Sequence, residues 1–131
     1  MTDEQIIEEL HQATRGLTFM SESDYPFEVF KWSEAEPTHE FLRGLTGEGA
    51  DVPVEETTAA NFFRVAASEA EWKNAEQLAV ARRFQTLLRL LEQNLQDLKV
   101  FRVGSINIPV YVAGRAASGN WLGVSTRVVE T

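Results

Sequence analysis

Two carboxylates, Glu22 and Asp24, stand in a short polar stretch between the apolar runs at residues 17–20 and 27–32. Carboxylates so close together can work as a general acid and base, or they can pair with a basic surface. No nucleophile and no pocket signature accompanies them, so the chain is read as a binding protein and not an enzyme. A loop tied at both ends to core segments holds its side chains in place, but such loops are also ordinary connections; on the residues alone both readings stand.

The other end of the chain offers oxygen chemistry. Strand-like residues 125–129 run to within two positions of the last residue, so the Glu130 carboxylate, the Thr131 hydroxyl and the terminal carboxylate stand at the end of an anchored strand. Hard oxygen ligands of this kind suit a divalent cation such as magnesium, above all one whose coordination sphere another protein leaves open. The plainer reading is a frayed tail.

Other motifs carry less. The run Thr38-His39-Glu40 lacks the second histidine that would set two imidazoles on one helical face, so His39 is read as a capping or surface residue. Gly47-x-Gly49-x-Asp51 matches one unit of a calcium-binding repeat, and a single copy is a loop. No metal site or cofactor of the chain's own is expected.

These residues must be positioned by elements. Thr2-x-x-Gln5 is a capping box, and Ile6, Ile7, Leu10 and Ala13 follow with helical spacing, which predicts a helix over 3–14. Residues 27–32 read as a strand with Phe27 and Val29 on one face and Phe30 and Trp32 on the other, hence a strand covered on both sides. Thr38 caps a turn of helix over 39–43 closed by Gly44, and 46–53 is loop. Thr57 or Thr58 starts a short helix through 61–66. Ser68-x-x-Glu71 and Asn74-x-x-Gln77 are two further start signals, the second opening a long helix over 75–96. An antiparallel meander follows: strand 99–103, turn 104–105, strand 106–113, connection 114–119 and strand 120–129. Pro109 cannot donate to a ladder, which predicts an edge or a bulge there. With the first meander strand running up, the last also ends at the top, the long helix starts there, and a strand 27–32 antiparallel to an upward neighbour begins there. Glu22, Asp24, Trp72, Glu130 and Thr131 would then share one rim.

Composition narrows the partners. The 131 residues suit one domain spanning 1–131, and the absence of cysteine removes disulfide and thiol chemistry. The acidic start 1–5 has no leader pattern and no run approaches a membrane span, so a soluble, cytoplasmic protein is expected. Net charge is -8, unevenly spread: residues 1–60 hold 14 acids against 3 bases, residues 61–131 hold 6 against 9. Such a field repels phosphate backbones, which disfavours direct nucleic-acid binding and favours a basic protein surface.

Residues 16–32, with Gly16-Leu17, Phe19-Met20-Ser21-Glu22-Ser23 and Tyr25-Pro26-Phe27-Glu28-Val29-Phe30, and the ending Val124-Ser125-Thr126-Arg127-Val128-Val129-Glu130-Thr131, closely resemble the nuclease A inhibitor family. The likeness runs over the whole chain and includes Thr38-His39-Glu40, the helix around Phe84 to Leu88, and Val110-Tyr111-Val112. It implies a three-layer α/β/α sandwich with a mainly antiparallel sheet. It further implies inhibition of a sugar-nonspecific DNA/RNA endonuclease with bound magnesium, by a monomer in a 1:1 complex. By motif, the carboxylate that meets the nuclease near its metal falls on Glu22, with Ser23 and Asp24 beside it. The terminal threonine whose oxygens approach that magnesium falls on Thr131, preceded by Glu130, and the aromatic contact residue falls on Trp72. Asp24 stands where the family more often shows Glu. The rival expectation is an acidic binding module that uses the same fold on a basic partner other than a nuclease.

Overall fold

Four helices start on a side chain that accepts a hydrogen bond from the third helical amide: Thr2, Thr38, Thr58 and Asn74. Each such cap is worth about 1 kcal/mol, and Thr2 with Gln5 and Asn74 with Gln77 complete reciprocal capping boxes. In the computed structural model, which describes residues 1–21, 23–33, 36–47 and 51–130, these caps open α1 (Asp3–Thr14), α2 (His39–Thr46), α3 (Ala59–Phe63) and α4 (Ala75–Asn94). The strands are β1 (Thr18–Met20), β2 (Asp24–Pro26), β3 (Glu28–Trp32), β4 (Val54–Thr57), β5 (Gln96–Val103), β6 (Asn107–Arg115) and β7 (Trp121–Val129). Glu22 and Thr131, which carry the sharpest expectations, lie outside the described residues, as does Gly49 of the glycine loop.

Five strands form one antiparallel sheet in the order β3-β7-β6-β5-β4, and β1 and β2 form a separate two-stranded hairpin. The period-two alternation of each strand decides which face a side chain covers. Val100, Val110, Val112, Leu122, Val124 and Val128 join Ile6 and Leu10 of α1, Phe63 of α3 and Phe84, Leu87 and Leu91 of α4 in the larger core. The intervening residues Phe101, Val103 and Ala113 pack on the opposite face with Leu42 and Phe41 of α2 and with Phe30, Trp32 and Tyr111. Phe27 and Val29 belong to the first cluster and Phe30 and Trp32 to the second, as the alternation of that strand predicts. The fold is mixed α+β with an antiparallel five-stranded sheet. Among the described residues no helix is long and apolar enough to cross a membrane.

Several boundaries differ from expectation. Helix α2 passes through Gly44 to Thr46, because the left-handed residue that stops it is Gly47 (φ 72), whose N–H reaches the Arg43 and Gly44 carbonyls. Ser68-x-x-Glu71 starts no helix: Lys73 Nζ takes the Ser68 carbonyl, Gln85 takes the Ala67 carbonyl at 2.8 Å, and Asn74 caps a competing start six residues on. Helix α4 stops at Asn94, since Gln96 is already paired with Arg115. Pro109 sits in an interior strand, not at an edge. It lies one residue beyond the last β5 pair, Arg102 with Val110, so its missing N–H interrupts no paired position on that side. Strand β4 was not foreseen, its residues Val54-Glu55-Glu56-Thr57 having too little alternation to stand out.

Ile106, in the turn between β5 and β6, holds φ 69. A left-handed backbone at a side-chain-bearing residue costs roughly 1–2 kcal/mol.

Candidate functional site: the rim formed by the β1–β2 hairpin and the end of β7

Aromatic packing seats the hairpin. Phe19 of β1 stacks on Phe62 with ring centroids 4.4 Å apart and meets Phe27, Phe63 and Phe84 edge-on at 6.2–6.4 Å. Contacts of this geometry add about 0.5–1.5 kcal/mol each beyond simple burial. With Phe19 turned inward, its neighbour Met20 is left 75% exposed. Met20 pairs with Asp24, which sets Ser21 and Ser23 at the tip of the hairpin, and Asp24 is exposed beside them.

The tip is fastened to the last strand of the sheet. Ser21 Oγ accepts the Val129 N–H at 3.0 Å and donates to the Ser23 carbonyl at 2.9 Å. Lower down, Thr126 Oγ1 donates to the carbonyls of Tyr25 (3.3 Å) and Pro26 (3.1 Å). Three hydroxyl contacts thus bind β7 to a hairpin about 100 residues earlier in the chain. On its other side the end of β7 is held by the turn before β6, where the Ile106 carbonyl accepts the Glu130 N–H at 2.8 Å. Arg102 Nη2 lies 2.7 Å from Glu130 Oε1, so part of that carboxylate is already engaged within the chain. Arg102 Nε is buried and has no hydrogen-bond partner among the described residues.

Between hairpin, α3 and β7 runs a groove of about 550 Å³, lined by Met20, Ser21, Phe62, Val65, Arg102 and Glu130 among others. Trp72 joins this region indirectly. It is 73% exposed in the loop between α3 and α4, and Lys73 Nζ lies 5.6 Å from its ring centroid. The same ammonium donates to the Val65 carbonyl at 3.3 Å, and Val65 faces the groove. No hydrogen bond or ion pair among the described residues joins Trp72 to Ser23, Asp24 or Glu130. The structure therefore brings Ser23, Asp24 and Glu130 to one rim, and Trp72 is linked to the groove only through Lys73 and the Val65 carbonyl. Sequence reasoning missed Ser21, Arg102 and Ile106. The signal for Ser21 is its place at the start of the polar stretch between two apolar runs; nothing in the sequence pairs it with Val129.

A second cavity, about 670 Å³, lies at the opposite end of the sheet, where β5 begins and β6 ends. His39 Nε2 lies 2.6 Å from Glu56 Oε2, Lys99 Nζ 3.4 Å from Glu56 Oε1, and Arg115 Nη2 3.0 Å from Asp97. The hydrogen bond to His39, with help from Lys99, holds the Glu56 carboxyl below its usual range. Glu56 and Asp97 each pair with a neighbouring basic side chain there, which fits a structural role for His39 at the start of α2. Among the described residues no three His, Asp or Glu side chains converge as a metal site.

No curated protein matches the chain. A family model does: nuclease A inhibitor-like protein, matched over residues 4–131. That span includes both the hairpin and the whole of β7, and on it the chain belongs to the nuclease A inhibitor family.

Proposed function

We propose that the chain, acting as one domain in a 1:1 complex, inhibits a magnesium-dependent, sugar-nonspecific endonuclease by laying this rim over the nuclease active site. Glu22 approaches the partner's magnesium and takes the place of a scissile phosphate oxygen, and Thr131 brings its oxygens to the same ion. Ser23, Asp24 and Glu130 flank them, and Trp72 makes an aromatic contact across the groove. The observation that carries the reading is the Ser21–Val129 hydrogen bond, which joins the two sequence-distant family motifs at one end of the sheet.

Electrostatics supports it. A groove that holds phosphates is basic, and residues 1–60, which include the hairpin, carry 14 acids against 3 bases. Charge pairs buried at such an interface couple by about 1.5–7 kcal/mol, whereas peripheral charges chiefly speed encounter.

Titrating a purified magnesium-loaded nuclease of this class with wild type and three variants tests the proposal. Glu22→Gln and Thr131→Ala are expected to raise the inhibition constant at least about tenfold, and Glu8→Gln, on the outer face of α1, by less than about threefold. Equal small effects from all three would remove the rim from the mechanism.

A further inference from the structure

The turn between β5 and β6 is built against the preferences of its residues. Gly104, Ser105 and Ile106 connect the strands, with left-handed backbones at Gly104 (φ 95) and Ile106 (φ 69). The last β5–β6 pair is Arg102 with Val110, and a left-handed position in the loop it closes is one that glycine or asparagine fills with little strain. A β-branched residue there is an outlier. Burial does not compensate, because the Ile106 side chain is 55% exposed.

Its location gives the strain a use. The Ile106 carbonyl holds the Glu130 N–H at 2.8 Å, the adjacent Asn107 pairs with Val129, and Val129 is the residue whose N–H Ser21 accepts. The isoleucine therefore borders the end of β7 on one side, while exposed Met20 and Val65 border it across the groove. Strained positions gather at binding sites, where the side chain is used in the complex and not in the free fold. Apolar residues placed around a charged contact exclude water from it and so strengthen it.

We propose that Ile106 is a nuclease-contact residue, packing on apolar surface beside the nuclease's basic groove and shielding the contacts made at the end of β7 from water. The inference rests on the inhibitor reading above. Ile106→Asn and Ile106→Gly both suit a left-handed turn, so they remove the apolar side chain without disturbing the backbone. In the nuclease titration each is expected to weaken inhibition about tenfold, through faster dissociation with association unchanged. The melting temperature of the free Ile106→Asn protein is expected to be no lower than that of wild type. Inhibition retained within about twofold by both variants, or a lowered melting temperature with inhibition intact, would overturn the assignment. Glu22→Gln, run in parallel, separates the two ideas. If it weakens inhibition while the Ile106 variants do not, only this inference fails; if wild type inhibits no such nuclease, both fall.

Discussion

Arg102 gives Glu130 a partner at 2.7 Å while its own Nε stays buried and unsatisfied among the described residues. A buried donor left without an acceptor costs about 1–3 kcal/mol, more than a partly exposed ion pair of 0–1 kcal/mol returns. The arginine thus contributes little net stability and chiefly fixes the end of β7. Arg102→Met keeps the aliphatic stem and removes both the charge and the orphan donor. Its stability should stay within about 1 kcal/mol of wild type. The Glu130 amide should exchange with solvent faster and nuclease inhibition should weaken; exchange rates and the titration check the two halves. At this scale the sequence spoke through motifs only. Glu22 and Asp24 are singled out by the family motif, since an acidic loop between two core segments is by itself an ordinary connection. Arg102 and Ser21 could not be picked out, because their partners lie about 30 and 108 residues away and follow from strand register.

The elements were more legible, since capping and periodicity are local. Thr2, Thr38 and Asn74 marked three helix starts, Thr57 or Thr58 a fourth that falls on Thr58, and the alternation in β3 assigned both of its faces. What escaped was whatever tertiary contact decides: the silent capping box at Ser68, the short edge strand β4, and the interior placement of Pro109. One position in β7 shows how tightly the sheet depends on its neighbours. A Cβ on Gly123 would stand 1.8 Å from the Val112 carbonyl oxygen and 3.0 Å from the Phe30 ring. Backbone cannot yield as a flexible side chain can, so Gly123→Ala should cost at least about 3 kcal/mol by forcing β7 away from β6. Chemical denaturation measures this, and a cost under about 1 kcal/mol would contradict the geometry.

Over the whole molecule, one carboxylate ties the chain's first helix to the far turn of the sheet. Asp3 is buried, accepts from Ser118 Oγ at 2.8 and 2.9 Å and from Asn120 Nδ2 at 2.8 Å, and lies 3.6 Å from Lys31 Nζ. The hydrogen bond from Asn120 leads, aided by Ser118 and Lys31 and opposed by burial, in holding its carboxyl below the ordinary value of 3.8. A depressed folded pKa means that this stabilisation is complete above the unfolded value and is lost as pH falls through the folded one. Asp3→Asn should therefore cost about 2 kcal/mol near neutrality. The gap from wild type should close as pH drops below 3.8, which denaturation at a series of pH values follows.

The same ties span 115 and 117 positions of sequence. Closing so long a loop before the strands between its ends exist would cost entropy with nothing to repay it, so the Asp3 bonds form after the folding barrier has been crossed. Their loss falls on the reverse rate: Asp3→Asn should refold as fast as wild type and unfold faster. The role expected of the clasp at Asp3 is a kinetic lock on the native state, set at the end of the sheet away from the rim.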